Sequence, residues 1–139
     1  MKYFLLVTLF SIIPAFANVL VEEATDGLMS ELKGTYQDVD CGSIEYSIDL
    51  IDINNDNNKE IFIIKYGTCL SGVTGMRIDL LIKQNEVWNS QFDFPGGYEI
   101  LKESNLGFPD IMITGRGFCF PIWRWNGKKY YLHRKTCDR

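Results

Sequence analysis

The chain has 139 residues, with 14 Lys and Arg against 18 Asp and Glu, and a formal net charge of −4. This length is sufficient for one domain of ordinary size with its own core. The acidic balance argues against nucleic-acid binding, because neutralising phosphates requires clustered Lys and Arg.

Residues 1–17 have the pattern of a cleaved secretory signal peptide. Lys2 supplies a positive start, residues 4–13 are almost wholly apolar, and residues 15–17 (Ala-Phe-Ala) fit the small-x-small cleavage pattern. The apolar run is shorter than the roughly 20 residues of a membrane-spanning helix. The sequence therefore predicts export to the periplasm or the cell exterior, with residues 18–139 as a single domain and no membrane span after cleavage.

The predicted elements of that domain begin with a helix over residues 18–33, where apolar residues recur at helical spacing, and Gly34 would end it. From residue 44 onward apolar and polar residues alternate, as in strands with one buried face. Strands are predicted at residues 44–50, 60–66, 76–83, 87–94, 98–102, 110–114, 118–125 and 129–134. The dipeptide at residues 126–127 (Asn-Gly) predicts a two-residue hairpin turn. The predicted fold is mainly β (α+β), built from antiparallel hairpins with one N-terminal helix.

An offset of fifty residues indicates an internal repeat. It places Glu60 on Asp110 and Cys69 on Cys119, and with one gap it also aligns Leu81–Trp88 with Trp123–Tyr130. The predicted half-repeats cover residues 44–94 and 95–134. The alternative is chance, since any two runs of alternating strands can be aligned in this way.

The most specific motif is the polar segment Asp52–Glu60, with oxygen-bearing side chains at loop positions one, three, five and nine. Calcium prefers six to eight oxygen ligands. The candidate ligands are Asp52, Asn54, Asp56, the backbone carbonyl of Asn58, and Glu60. Asn57 stands where such loops usually carry glycine, and Asn tolerates the left-handed conformation. The alternative is a polar hairpin turn, in which Asn and Asp are also favoured.

This D-x-N-x-D-x-x-x-E loop between two strands resembles the calcium loops of FG-GAP-type β-propeller repeats. Together with Gly107–Asp110, Trp123–Tyr130 and the cysteines, it is similar to small exported bacterial proteins of unassigned function. The resemblance implies propeller-blade-like hairpins and a calcium ion, and it implies no activity. In the second half-repeat Lys102 and Leu106 occupy ligand positions, so only the first would hold an ion.

Four cysteines in an exported chain predict two disulfides. No C-x-x-C pair occurs and the only histidine is His133, which argues against a redox catalyst and a zinc site. The registers of the two flanking hairpins favour Cys41–Cys69 and Cys119–Cys137. The rival is a Cys69–Cys119 bridge, which the repeat would allow.

No catalytic signature was found: G-x-S-x-G is absent, and acidic pairs such as Asp79 and Asp93 arise readily by chance. The sequence therefore favours a non-catalytic binding protein with a protein partner, such as an immunity protein or an inhibitor of a cell-wall hydrolase. Its predicted contacts are Ser71, Gly72, Trp123 and Trp125. The alternatives are a plain connector for residues 68–75 and core packing for at least half of the aromatic residues 115–125. The alternative is a small secreted enzyme or carbohydrate-binding module using the aromatic segment 118–131.

Overall fold

The computed structural model describes residue 41, residues 45–117 and residues 119–137. The predicted signal peptide at residues 1–17 and the predicted helix at residues 18–33 lie outside these residues. Within the described part of the chain, no helix is both long and apolar enough to cross a membrane.

The described chain forms two four-stranded antiparallel sheets, each a simple meander in chain order. Sheet 1 contains β1 (Glu45–Ile51), β2 (Glu60–Tyr66), β3 (Met76–Gln84) and β4 (Val87–Pro95). Sheet 2 contains β5 (Gly97–Asn105), β6 (Phe108–Thr114), β7 (Phe120–Trp125) and β8 (Tyr130–Thr136). A short helix, α1 (Thr68–Ser71), and a 3₁₀ turn (Gly72–Thr74) connect β2 to β3. The prediction of a mainly β fold of antiparallel hairpins is confirmed.

The pairing registers of the two sheets coincide under the offset that the repeat predicted. The equivalent pairs are Leu50–Ile61 with Ile100–Ile111, Ile61–Leu81 with Ile111–Trp123, and Lys83–Trp88 with Trp125–Tyr130. Residues matched by sequence thus occupy matched ladder positions in three successive hairpins. Gly96 alone separates β4 from β5, so the join between the sheets lies two residues after residue 94, the predicted end of the first half-repeat.

The sheets stack through non-equivalent faces. Phe62 and Ile64 of sheet 1 share a core with Ile111 and Ile113 of sheet 2. Under the fifty-residue offset Ile111 corresponds to Ile61, whose side chain lies on the opposite face of β2, because successive strand residues alternate between faces. The front of one sheet therefore packs on the back of the other, so that both faces of β2 are buried along most of its length.

Two tight turns have the chemistry of type I′ hairpins. Asn85 and Glu86 join β3 to β4 with φ of 51° and 64°, and Leu106 and Gly107 join β5 to β6 with φ of 51° and 84°. Positive φ at both central residues is the requirement of this turn. The turn therefore tolerates non-glycine residues here, because the two flanking strands are fixed in register.

The predicted two-residue turn at Asn126 and Gly127 is wrong. Trp125 pairs with Tyr130, so the loop between β7 and β8 has four residues, 126–129. The side-chain oxygen of Asn126 accepts hydrogen bonds at 2.9 Å from the amides of Lys128 and Lys129. This local capping by an Asn side chain competes with the two-residue turn and lengthens the loop.

Antiparallel meanders place alternate connections at opposite ends. The hairpin loops β1–β2, β3–β4, β5–β6 and β7–β8 lie at one end, here called the turn end. The connections β2–β3, β4–β5 and β6–β7 lie at the other, here called the linker end. A hydrogen bond of 3.0 Å from Gln84 Nε2 to the carbonyl of Lys128 joins the two sheets at the turn end.

Two disulfides lie at the linker end. Cys41 is bonded to Cys69 and Cys119 to Cys137, with Cα–Cα distances of 5.6 Å and 3.9 Å. This is the pairing that the hairpin registers favoured, and the rival Cys69–Cys119 bridge is not formed. Each disulfide joins two cysteines of the same half of the chain. Cys41–Cys69 therefore cross-links the segments that flank β1 and β2, and Cys119–Cys137 those that flank β7 and β8.

Candidate calcium loop and binding surfaces

The β1–β2 loop, residues 52–59, is tightly folded and anchored at the turn end. Ile53 is 8% exposed and belongs to the core between the sheets. Asn55 and Asn57 have φ of 59° and 67°, a conformation that Asn adopts more readily than most residues. Asn57 therefore adopts the left-handed conformation expected at the position where such loops usually carry glycine.

Three predicted ligand side chains converge on the amides of this loop. Asp52 accepts hydrogen bonds from the amides of Asp56 at 3.1 Å and Asn57 at 2.9 Å. The Asp56 amide is shared with Asn54 Oδ1, also at 3.1 Å. Asp56 Oδ1 in turn accepts from the amide of Asn58 at 2.7 Å. The oxygens of Asp52, Asn54 and Asp56 are thus gathered by the same short stretch of backbone.

Glu60 begins β2 beneath the loop and is 4% exposed. Its Oε2 accepts a hydrogen bond of 3.0 Å from the amide of Ile53. Burial raises the pKa of the Glu60 carboxyl, and the negative charges of Asp56 and Asp52 raise it further. The pKa of Asp56 is instead lowered, first by the backbone amide of Asn58 and then by Asn54. The loop therefore holds a buried carboxyl next to acids that oppose its ionisation.

This donor set fits a hard cation by type. Every predicted ligand atom is an oxygen, as calcium prefers. Among the residues that the structure describes, no three side chains of Asp, Glu, His or Cys come together as a metal group. Carboxylates alone would therefore not complete the shell of a calcium ion here. The ion would also need the side-chain amide oxygen of Asn54 and the backbone carbonyl of Asn58.

The glycine-rich segment between β2 and β3 is a structured turn. Ser71, a predicted contact, is 8% exposed, and its hydroxyl donates a hydrogen bond of 2.6 Å to the carbonyl of Gly67. The Gly67 amide in turn donates to the carbonyl of Gly75 at 2.9 Å. Ser71 therefore stabilises the turn from inside, which corrects its prediction as a surface contact. Gly72 is exposed, and the side chain of Val73 is 78% exposed.

The aromatic residues near the C-terminus belong mainly to the core. Trp125, a predicted contact, is 4% exposed and stacks on Phe108 at 4.4 Å between ring centroids. Tyr130 packs edge-on against both rings. Trp123 is half-buried and packs against Phe92 at 5.4 Å. The alternating strand pattern directs these rings inward, so Trp125 is corrected to a core residue and Trp123 to a residue at the core edge.

Asp79 and Asp93 pair across β3 and β4 and belong to an ion network. Lys65 Nζ lies 3.9 Å from Asp79 and 3.4 Å from Asp93, and Arg77 Nε lies 2.5 Å from Asp93. Burial raises the pKa of Asp79, while the Ser90 hydroxyl and the Lys65 charge lower it. The arrangement is typical of a structural network, in which buried charges are paired.

A cleft of about 530 Å³ at the turn end was not anticipated from sequence. It is lined by the β1–β2 loop, by the β3–β4 turn with Trp88, and by Phe108 and Trp125 of sheet 2. These segments are distant along the chain, and only the stacking of the sheets brings them together. The one feature of the sequence that could have indicated this cleft is Trp88, an aromatic residue next to a polar turn.

Comparisons of this chain with protein-family models, with curated proteins and with solved structures found no match.

Proposed function

We propose that this chain is an exported, non-catalytic binding protein that holds one calcium ion in its β1–β2 loop and recognises a protein partner. An immunity protein or an inhibitor of a cell-wall hydrolase is the class that we favour. The observation that carries the proposal is the convergence of Asp52, Asn54 and Asp56 on the amides of residues 56–58. Two disulfides agree with an oxidising compartment.

The calcium ion has a physical reason to bind at this place. Glu60 is buried beside Asp56 and Asp52, whose charges oppose its ionisation. A divalent cation bound in the loop would favour the ionised form of the carboxyls that contact it, because an opposite charge within a few ångströms stabilises a carboxylate. The resemblance of the loop to FG-GAP calcium loops supports the same ion.

Calcium is therefore expected to stabilise the mature protein against heat. An ion that binds only the folded state at a hundredfold over its dissociation constant raises the free energy of unfolding by about 2.7 kcal/mol. Thermal melts in millimolar calcium and in chelator should differ by several degrees, and Asp56→Ala should remove the difference. Glu45→Ala, which removes an exposed acid from β1, should preserve it. Identical wild-type melts in the two media would refute the calcium proposal.

The partner surface that we propose is the turn at Gly72 and Val73. The Cys41–Cys69 bridge and the Gly67–Gly75 hydrogen bond fix the turn, and Val73 projects from it with 78% of its surface exposed. A rigid turn loses little conformational entropy on binding, so an apolar tip of this kind is suited to enter a partner's cleft. The net negative charge of the chain favours encounter with a basic partner.

Substitution of the turn tip should abolish partner capture. We expect the wild type to retain a partner from its own exported protein fraction and Val73→Asp to lose it, since a charge would be buried without a counter-charge. Val87→Asp is the matched control, because Val87 is 60% exposed at the opposite, turn end of sheet 1. Capture by Val73→Asp at the wild-type level, measured by pull-down with quantitative mass spectrometry, would exclude this surface.

A further inference from the structure

We propose that the cleft at the turn end is a binding site for a neutral saccharide. The cleft has a volume of about 530 Å³, enough for a small ligand. One wall is the β1–β2 loop and another is the β3–β4 turn, so the site is built where two hairpin loops of sheet 1 meet the aromatic residues of sheet 2.

The chemistry of the polar wall matches hydroxyl groups. Asn54, Asn58 and Gln84 line the cleft with amides, which both donate and accept hydrogen bonds, and Asp56 and Glu60 add carboxylates. Several of these groups already bond within the protein, as Gln84 does to Lys128 and Asp56 to the amide of Asn58, so a ligand would use their remaining donors and lone pairs. A sugar hydroxyl also donates and accepts. A wall that mixes amides with carboxylates can therefore satisfy several hydroxyls of one ligand.

The charges of the lining argue for a neutral ligand. Lys83 and Glu86 form an ion pair at 2.6 Å, so neither presents an uncompensated charge. Lys59 lines the cleft together with the acids Asp56 and Glu60. A phosphate or another anion would meet the carboxylates of Asp56 and Glu60, which disfavours it.

The aromatic lining supplies the apolar part of the site. Trp88 is half-buried at the start of β4 and lines the cleft together with the stacked rings of Phe108 and Trp125. The C–H face of a pyranose ring packs on an indole ring, because both surfaces are apolar and flat, while its hydroxyls remain at the ring edge for the polar wall. Trp88 is the residue that we expect to provide this platform, since Trp125 is committed to the core.

The inference does not require the calcium ion. Asn54, Asp56, Asn58 and Glu60 are proposed calcium ligands that also line the cleft, whereas Trp88 is not a proposed ligand. Experiments in calcium and in chelator therefore separate the two proposals. Saccharide binding that depends on Trp88 in both media supports the site even where the melts show no effect of calcium.

The test is a titration of the mature protein with neutral trisaccharides, namely those of β-1,4-linked N-acetylglucosamine, β-1,4-linked glucose and α-1,4-linked glucose. Tryptophan fluorescence and calorimetry give the dissociation constants. We expect at least one to bind saturably, Trp88→Ala to weaken it by about tenfold or more, and Trp88→Phe to retain most of the affinity. Tyr131→Ala, which removes an exposed aromatic side chain of β8, should leave the affinity unchanged.

Two results would overturn the proposal. One is the absence of saturable binding of all three trisaccharides at about 10 mM, a concentration that would nearly fill a site with a dissociation constant of about 1 mM. The other is an affinity that Trp88→Ala leaves at the wild-type level while circular dichroism shows the variant folded. If Trp88→Ala fails to fold, Asn58→Ala on the exposed loop tests the polar wall instead. Wild-type affinity in that folded variant would likewise overturn the proposal.

Discussion

Gly96→Ala is expected to destabilise the protein strongly, by at least about 2 kcal/mol more than a substitution at a comparable glycine. Gly96 is the single residue between the two sheets, and its φ is +135°. A Cβ atom there would overlap the carbonyl oxygen of Thr114 and would lie 3.1 Å from Ile113 Cγ2. The carbonyl belongs to the β6 backbone, so the clash cannot be relieved without moving a strand.

Gly117→Ala is the matched control. Gly117 has φ of +136°, the same backbone conformation, but its Cβ would meet no described atom within 4 Å. The control therefore measures the conformational strain alone, about 1–3 kcal/mol, and the difference measures the close approach of β6 to the join between the sheets. Urea unfolding of both variants provides the comparison. Equal losses of stability would show that β6 does not approach Gly96 as described.

Phe62→Ala is expected to reduce the free energy of unfolding by about 3–5 kcal/mol, because a buried aromatic ring is replaced by a cavity. Phe62 is fully buried, and its ring stacks on Tyr98 of sheet 2 with centroids 4.0 Å apart. The Tyr98 hydroxyl donates a hydrogen bond of 2.7 Å to Asp49 of β1. Tyr98 of sheet 2 thus contacts two strands of sheet 1, β2 through the Phe62 ring and β1 through Asp49.

Phe94→Ala is the control for the same change of side chain. Phe94 is 41% exposed on β4, so its removal should cost less than about 1.5 kcal/mol. Chemical denaturation of both variants, with coincident circular dichroism and fluorescence transitions, gives the two values. Similar losses for Phe62→Ala and Phe94→Ala would contradict the packing of sheet 1 on sheet 2 through Phe62.

The strands could be predicted from the sequence because they follow from period-two alternation. The alignment of Ile61 and Ile63 with Ile111 and Ile113 matches their equivalent positions in the two ladders. The exact registers differ from those predicted, since Ile51 and not Asp52 pairs with Glu60, and Trp125 pairs with Tyr130 across a longer loop. The disulfides followed from the predicted registers. A period of two fixes which face a residue occupies, and the turn fixes which residue lies opposite, so an error in turn length shifts the predicted register.

Features that depend on the stacking of the sheets could not be predicted. Trp125 and Ser71 were assigned to the surface because composition alone does not show which face of a strand, or which side of a turn, is covered. The cleft beside Trp88 arises from segments that lie far apart in sequence. The four-residue loop after Trp125 could not be predicted from the Asn-Gly dipeptide. The Asn126 side chain accepts hydrogen bonds from the amides of Lys128 and Lys129, and this capping favours a longer loop than the two-residue turn.

The most direct test of the central claim is a calcium titration followed by amide NMR of the ¹⁵N-labelled mature protein. We predict that the amides of Asp56, Asn57 and Asn58, which donate to the proposed ligands, shift most and saturate at one equivalent of calcium. The amide of Ile53, bonded to Glu60, should shift with them. Spectra that do not change up to millimolar calcium, or changes confined to residues outside the β1–β2 loop, would contradict a calcium ion at this site.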